Sequence, residues 1–265
     1  MKARIGFEDK VCLITGAGSK SGIGFSTAQI IGKLGAIVLL VATSERIYDR
    51  AKELEALGIE AKGYIADLMD RKQVNNLINR IVEEHQRIDI LINNAGMTQV
   101  GSEEIFSDFA NMRDEEWDLT ISRNLTTCYN VTHSVLPHMI NSNYGRIVNV
   151  SSVTGPIVSN PGESAYSAAK AAMIGMSRSI AIEVAKNNIM INNVLPGWIA
   201  TGSQTESEAA ASLNTPIGRG GRPEEVGHMI VFLASEQASY ITGQSFIVDG
   251  GNTIQEYKGP SELYY

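Results

Sequence analysis

The chain is poor in cysteine, tryptophan, histidine and net positive charge, and each shortage narrows what it can be. Its 265 residues include only two cysteines, Cys12 and Cys128. Both sit in apolar stretches and read as small core residues rather than a disulfide, which suits a reducing compartment. Lys and Arg number 22 against 29 Asp and Glu, a formal charge of -7, which argues against nucleic acid as a main partner. No run approaches the ~20 apolar residues of a membrane span, and Met1–Asp9 lacks the apolar region of a signal peptide. The expectation is a soluble, cytoplasmic protein with no membrane partner. The four histidines, His85, His133, His138 and His228, share no metal-ligand spacing with carboxylates or cysteines, so no metal is expected. No internal repeat, low-complexity segment or linker divides the chain.

What is present is an ordinary globular composition, 43% hydrophobic and 19% charged, long enough to bury a substantial core. Short apolar runs read as strands at Val11–Thr15, Ile37–Val41, Ala61–Ile65, Ile88–Ile92, Arg146–Val150, Ile189–Leu195 and Ser245–Val248. Most lack polar alternation, as strands covered on both faces do. Helical patterns lie between them at Gly24–Leu34, Glu45–Leu57, Lys72–His85, Glu115–Met139, Ser164–Lys186 and Pro223–Ala234. Pro223 followed by Glu224 and Glu225 is a good helix start, with φ fixed and negative charge at the positive end of the dipole. This alternation predicts an α/β fold: one Rossmann domain over 1–265, with a doubly wound, parallel, seven-stranded sheet and helices on both faces.

The first strand runs into Thr-Gly-Ala-Gly-Ser-Lys-Ser-Gly-Ile-Gly, ending at Gly24 where a helix begins. Glycines there let a backbone approach a pyrophosphate, whose charge is favoured at the helix N-terminus. Glycines also make plain turns; the position between first strand and first helix is what points to a dinucleotide. Gly16, Gly18, Ser19, Lys20, Gly22, Ile23 and Gly24 are the candidate contacts. After the second strand an acidic residue would favour NAD by bonding its ribose hydroxyls. Here Thr43 and Ser44 offer donors to a phosphate, and Arg46 and Lys20 offer positive charge. The reading is NADP(H) in preference to NAD(H), although Ser44 could equally cap a helix and Arg46 be a solvated helix residue.

A second group carries chemistry. Ser152 ends a strand, and Tyr166 and Lys170 stand four residues apart at the start of a long helical pattern, hence on one face. An unperturbed tyrosine titrates near ~10 and serves poorly as an acid–base catalyst at neutral pH. A nearby ammonium favours its phenolate and brings it into the working range. Tyr166 could then protonate a carbonyl oxygen, or accept an alcohol proton, while Ser152 holds that oxygen. By itself a Tyr/Lys pair at this spacing is common on amphipathic helices.

Together these pieces resemble the short-chain dehydrogenase/reductase family, from about Phe7 to Asn252. In order they are Thr15-Gly16 through Gly24, Asp67-Leu68, Asn93-Asn94-Ala95-Gly96, Asn124, Ser152, Tyr166-x-x-x-Lys170, Pro196-Gly197 and Thr201. The resemblance implies ketone–alcohol interconversion by hydride transfer from a nicotinamide dinucleotide, and a homotetramer. It implies a catalytic set of Asn124, Ser152, Tyr166 and Lys170, with Asn124 holding a water that links Lys170 to solvent. It also implies that Asp67 bonds the adenine, with Leu68 beside it, and that Asn93, Asn94, Ala95 and Gly96 support the adenosine side. Lys170 would bond the nicotinamide ribose, while Pro196, Gly197, Ile199 and Thr201 would cover the nicotinamide. Asp67 as a turn residue and Asn124 as a structural amide stay open beside those roles.

Departures from the family pattern concern the substrate. The glycine-rich loop is two residues longer than usual between Gly16 and Gly22. An extra stretch runs from Gly101 to Phe109, and the loop from Ser152 to Tyr166 is slightly long. A lid helix is expected between Thr201 and Pro216, with Trp198 a candidate substrate wall. The tail, 253–265, extends past the usual ending; it either is disordered or packs on a neighbour and trims the pocket. The nearest subfamily resemblance is to 3-oxoacyl-thioester reductases, through Ala42–Glu45 and Met112–Trp117. Their acidic carrier protein calls for basic residues, whereas Asn141–Tyr144 and Lys186–Asn188 retain one charge, Lys186. A small free ketone, hydroxy compound or CoA ester is therefore expected. Alternatives are a 3-oxoacyl carrier-protein reductase and, from another class, a silent dinucleotide-binding sensor.

Overall fold

The computed structural model describes residues 5–96 and 105–259. Strands form at Val11–Thr15 (β1), Ile37–Ala42 (β2), Ala61–Ile65 (β3), Ile90–Asn93 (β4), Gly145–Val150 (β5), Ile189–Pro196 (β6) and Ser245–Val248 (β7). All pair in parallel, in the order β3-β2-β1-β4-β5-β6-β7. Helices lie at Ile23–Lys33 (α1), Arg46–Glu55 (α2), Arg71–His85 (α3), Asp114–Ile121 (α4), Thr127–Ser142 (α5), Ser164–Val184 (α6), Glu206–Ser212 (α7) and Pro223–Leu233 (α8). The expected seven-stranded Rossmann sheet is therefore present.

Two cores explain the unbroken apolar runs. Cys12, Ile14, Val38, Leu40, Ile92 and Val148 point to one face, among the buried residues of α1, α2 and α8. Their neighbours Leu13, Leu39, Leu91 and Ile147 point to the other, with residues of α3, α5 and α6. Alternate side chains of one strand thus enter different cores, so neither face can be polar. Cys12 and Cys128 are free, buried thiols.

Local chemistry sets several boundaries. Asp70 caps α3, its Oδ1 accepting from Lys72 N–H at 2.8 Å and Gln73 N–H at 3.3 Å. Pro223 opens α8 as anticipated. Two expectations need correction. The fourth strand starts at Ile90 and not Ile88, because Asp89 turns its carboxylate to Val11 N–H (2.9 Å) and to Arg87. The helix expected over Glu115–Met139 is continuous from Asp114 to Ser142 but not α-helical throughout, because a π-turn at Ser122–Thr126 separates α4 from α5. No helix of the described residues is long and apolar enough to cross a membrane.

Candidate active site

The carboxyl ends of the strands open on one cavity of about 820 Å³. It lies where the sheet order reverses between β1 and β4, the usual ligand position in an open parallel sheet. The loop from β1 to α1 forms one wall. Gly16 holds φ at +68°, and a Cβ on it would stand 2.7 Å from Ala95 Cα, so glycine is required there. Thr15 Oγ1 accepts from the N–H groups of Asn94 and Ala95, each at 3.0 Å. Asn94 Nδ2 donates to the carbonyls of Thr15 (3.1 Å) and Gly16 (3.0 Å). The ends of β1 and β4 are thereby tied together.

Gly18, Ser19, Gly22 and Ile23 line the cavity beside Gly16. Gly24 does not; it packs behind the loop, where a Cβ would meet Asn94 Nδ2 at 2.6 Å. Lys20 also stands outside the lining, 3.5 Å from Glu53 and mostly exposed. Past β2, Thr43 and Arg46 line the cavity while Ser44 does not. Nor does Ser44 cap α2, whose first flanking residue is Glu45 with no side-chain cap bond. Arg46 Nε is buried without a hydrogen-bond partner. A Cβ on Gly18 would come within 2.7 Å of it, so this guanidinium lies against the glycine-rich loop. Asp67 and Leu68 line the cavity after β3. Asp67 Oδ1 accepts from Met69 N–H at 3.0 Å. Asn130 of α5, not singled out in the sequence, donates Nδ2 to the carbonyls of Leu68 (2.9 Å) and Met69 (3.2 Å).

The chemical cluster sits across from this wall. Ser152 follows β5 and its Oγ accepts from Thr154 N–H at 3.0 Å. Tyr166 and Lys170 occupy the first turns of α6, with Lys170 Nζ 5.5 Å from the centre of the Tyr166 ring. Lys170 is 3% exposed and donates to Val150 O at 3.1 Å. Burial lowers its pKa to about 8, because removing an ammonium from water disfavours the charged form. The π-turn places buried Asn124 in the same wall, its Nδ2 donating to Thr120 O at 3.0 Å. Gly96 makes the approach feasible: a Cβ there would lie 2.8 Å from Asn124 Oδ1 and 3.2 Å from Lys170 Nζ.

A buried amide row braces the strands just before they enter the site. Asn93, Asn149 and Asn193 lie in register across β4, β5 and β6. Asn93 Nδ2 donates to Asn149 Oδ1 and to Thr132 Oγ1, both at 2.8 Å. Asn149 Nδ2 donates to Ser177 Oγ at 2.9 Å, and that hydroxyl donates to Asn193 Oδ1 at 2.8 Å. Asn93 thus braces the sheet and is absent from the cavity lining. An amide row in otherwise apolar strands is the signal that could have identified Asn149 and Asn193 in the sequence.

Three segments close the other half. Pro196 at the end of β6 and Gly197, Trp198, Ile199 and Thr201 directly after it line this half. The anticipated lid contains α7, opened by a reciprocal cap between Thr205 and Glu208. Of the extra stretch, 101–104 lie outside the described residues. Phe106 lines the cavity, and Ser107 N–H donates to Gly162 O at 3.2 Å, joining this stretch to the β5–α6 loop. Asn252, in the turn after β7, lines the cavity, and the tail reaches it through Lys258, while Gln255 Nε2 donates to Asn214 O at 2.9 Å. Its last residues, 260–265, lie outside the described set. Arg123 was also missed: it lines the cavity with its Nε buried and unpartnered. Among the described residues no group of His, Cys, Asp and Glu is placed to hold a metal ion.

Comparison with known proteins agrees with this geometry. Residues 16–253 match a family profile described as enoyl-(acyl carrier protein) reductase. The 3-oxoacyl-[acyl-carrier-protein] reductase FabG of Thermotoga maritima is 42% identical over 253 residues, covering 93% of this chain and 99% of that protein. The oxidoreductase UcpA of Escherichia coli K12 is 39% identical, covering 93% and 95%. A solved structure from Agrobacterium tumefaciens, described as a candidate gluconate dehydrogenase, superposes with a TM-score of 0.86. It is 27% identical and covers 94% of this chain and 97% of its own.

Proposed function

The chain belongs to the short-chain dehydrogenase/reductase family, and from that premise we propose that it reduces a small ketone with NADPH, Tyr166 supplying the proton. The observation that carries this reading is the convergence of Asn124, Ser152, Tyr166 and Lys170 on one cavity. The reaction class, interconversion of a ketone and a secondary alcohol by a nicotinamide-linked oxidoreductase, follows from the family.

The cavity suits the dinucleotide on its own terms. The glycine-rich loop has no side chains to keep a pyrophosphate from the backbone, and the α1 N-terminus favours its charge. The unpartnered Arg46 Nε, with Thr43 nearby, suits a 2′-phosphate. Asp67 and Leu68 would receive the adenine, and Lys170, Pro196, Gly197, Ile199 and Thr201 the nicotinamide end. When bound, the nicotinamide supplies the hydride. The remaining work falls to the protein. Ser152 Oγ holds the substrate oxygen, and Tyr166 gives it a proton as the carbon is reduced. The Lys170 ammonium, 5.5 Å from the centre of the Tyr166 ring, would favour the phenolate over the phenol. Asn124, held by the π-turn beside Lys170, would hold the water through which the replacement proton reaches Lys170.

A carrier-protein reductase is the second reading, suggested by the FabG relatives. Asn141, Asn143 and Lys186 are exposed, and only Lys186 could attract an acidic carrier. The test follows NADPH and NADH oxidation against a panel of free ketones, acetoacetyl-CoA and an acyl-carrier substrate. Turnover of a free ketone with NADPH, well above that of the carrier-bound chain, is expected. Comparable turnover of the carrier-bound chain would replace this reading with the second, and binding without any turnover would favour a sensor.

A further inference from the structure

The half of the cavity beyond Ser152 and Tyr166 mixes apolar residues, Phe106, Val158 and Trp198, with polar groups that a hydrocarbon chain would leave unsatisfied. Asn160 and Glu163 come from the β5–α6 loop, Gln204 and Glu208 from the lid, and Asn252 from the turn after β7. Three separate segments therefore contribute amides or carboxylates to one space. Asn252 is 7% exposed. Gln204 Nε2 is buried and has no hydrogen-bond partner. Asn160 Nδ2 is committed to Glu163 Oε2 at 3.1 Å, and Glu208 Oε2 to the Thr205 cap at 2.7 Å. The Asn160 carbonyl and the second carboxylate oxygens of Glu163 and Glu208 are left for other donors.

These groups discriminate between substrates by desolvation. An acyl chain laid across them would strip water from each without returning a hydrogen bond, at about 1–3 kcal/mol per group. A hydroxyl both donates and accepts, so it satisfies a carboxylate on one side and an amide N–H on the other. Adjacent hydroxyls on one carbon skeleton would engage the loop, the lid and the turn after β7 together. Burial raises the pKa of Glu163, and neighbouring Glu208 adds to this. Lys258, exposed at the tail end of the lining, offsets the two carboxylates, so charge does not decide between neutral and acidic members of the class.

We infer that the substrate is a polyhydroxylated ketone or alcohol, a keto-sugar or keto-polyol, whose hydroxyls are held by Gln204 and Glu208 of the lid, Asn252 of the turn after β7 and the Asn160–Glu163 pair. This rests on the ketone-reductase reading above and narrows it.

The test uses the full-length protein with NADPH and compares a cyclic keto-polyol, an open-chain keto-sugar and a keto-sugar acid with cyclohexanone, ethyl acetoacetate and acetoacetyl-CoA. The expected result is a kcat/KM at least ~100-fold higher for a hydroxylated ketone than for cyclohexanone, since sites built around hydroxyls reject analogues lacking them. Asn252→Leu and, separately, Gln204→Leu should each reduce that ratio about tenfold. Using two variants covers the chance that one disturbs the tail. Turnover of the plain ketones equal to or above that of every hydroxylated one would overturn the inference and leave the reductase reading intact. An unchanged ratio in both variants would overturn the assigned residues. No turnover of any ketone would overturn both readings.

Discussion

Lys170 sets the electrostatics of the site, and its burial makes its charge a measurable cost. The pKa falls to about 8 in the folded chain, against ~10.4 for an unfolded lysine. Between those values the unfolded state holds the extra proton, so this group makes stability rise with pH. Below pH 8 the buried ammonium costs about 3 kcal/mol, and above ~10.4 the cost is gone. Lys170→Met should accordingly be more stable than the parent near neutrality, and the gap should close as pH rises through that window. Urea midpoints of both proteins without cofactor, measured from pH 7 to 10.5, check this; parallel curves would contradict it. On the proposed NADPH reading, Arg46 carries the cofactor preference at the same scale. Arg46→Ala should raise the KM for NADPH at least ~10-fold and change that for NADH less than twofold, read in cofactor titrations at saturating ketone. The meeting of Tyr166 and Lys170 at one cavity was legible in the sequence, because they stand one helical turn apart. Lys20 and Ser44 lie near the loop in sequence yet are absent from the cavity lining. Lys20 finds Glu53, a partner that only the packing of α1 and α2 supplies.

At the level of elements, the site depends on two backbone irregularities. One is the turn after β1. Gly16→Ala would force φ near +68° on an alanine and drive its Cβ into Ala95 Cα, so it should cost at least ~1–3 kcal/mol and abolish cofactor binding. Thermal unfolding and cofactor fluorescence titration read the two effects. The other is the approach of Gly96 to the π-turn. Gly96→Ala would crowd Asn124 Oδ1 and Lys170 Nζ while touching neither strand core. Turnover should fall at least ~10-fold with little change in the unfolding midpoint. A loss of stability equal to that of Gly16→Ala would show that Gly96 is structural. Strand and helix periodicity located nearly every element to within a few residues. It could not locate the break at Ser122–Thr126, which places Asn124, nor the contact of Ser107 with Gly162, which unites two loops distant in sequence.

Across the whole molecule, one edge of the sheet asks for a partner. β7 is a terminal strand, and Ile247 on it is 43% exposed. Tyr240 just before it and Ile182 at the end of α6 are also exposed. An apolar edge of this kind invites pairing with a second copy, and β7 would form an interface of the homotetramer that the family resemblance implies. Ile247→Lys should shift the assembly to a smaller species in sedimentation equilibrium; an unchanged mass would remove β7 from the interface. The overall fold was readable because each inner strand feeds two cores and so declares itself by composition alone. The substrate half was not, because loop, lid and tail meet only in three dimensions. The central claim is that Tyr166 delivers the proton in ketone reduction, and Tyr166→Phe tests it most directly. With NADPH and the preferred ketone, kcat should fall ~10²–10⁴-fold while the NADPH dissociation constant changes less than about threefold. Retention of a tenth or more of the parent kcat would contradict the account.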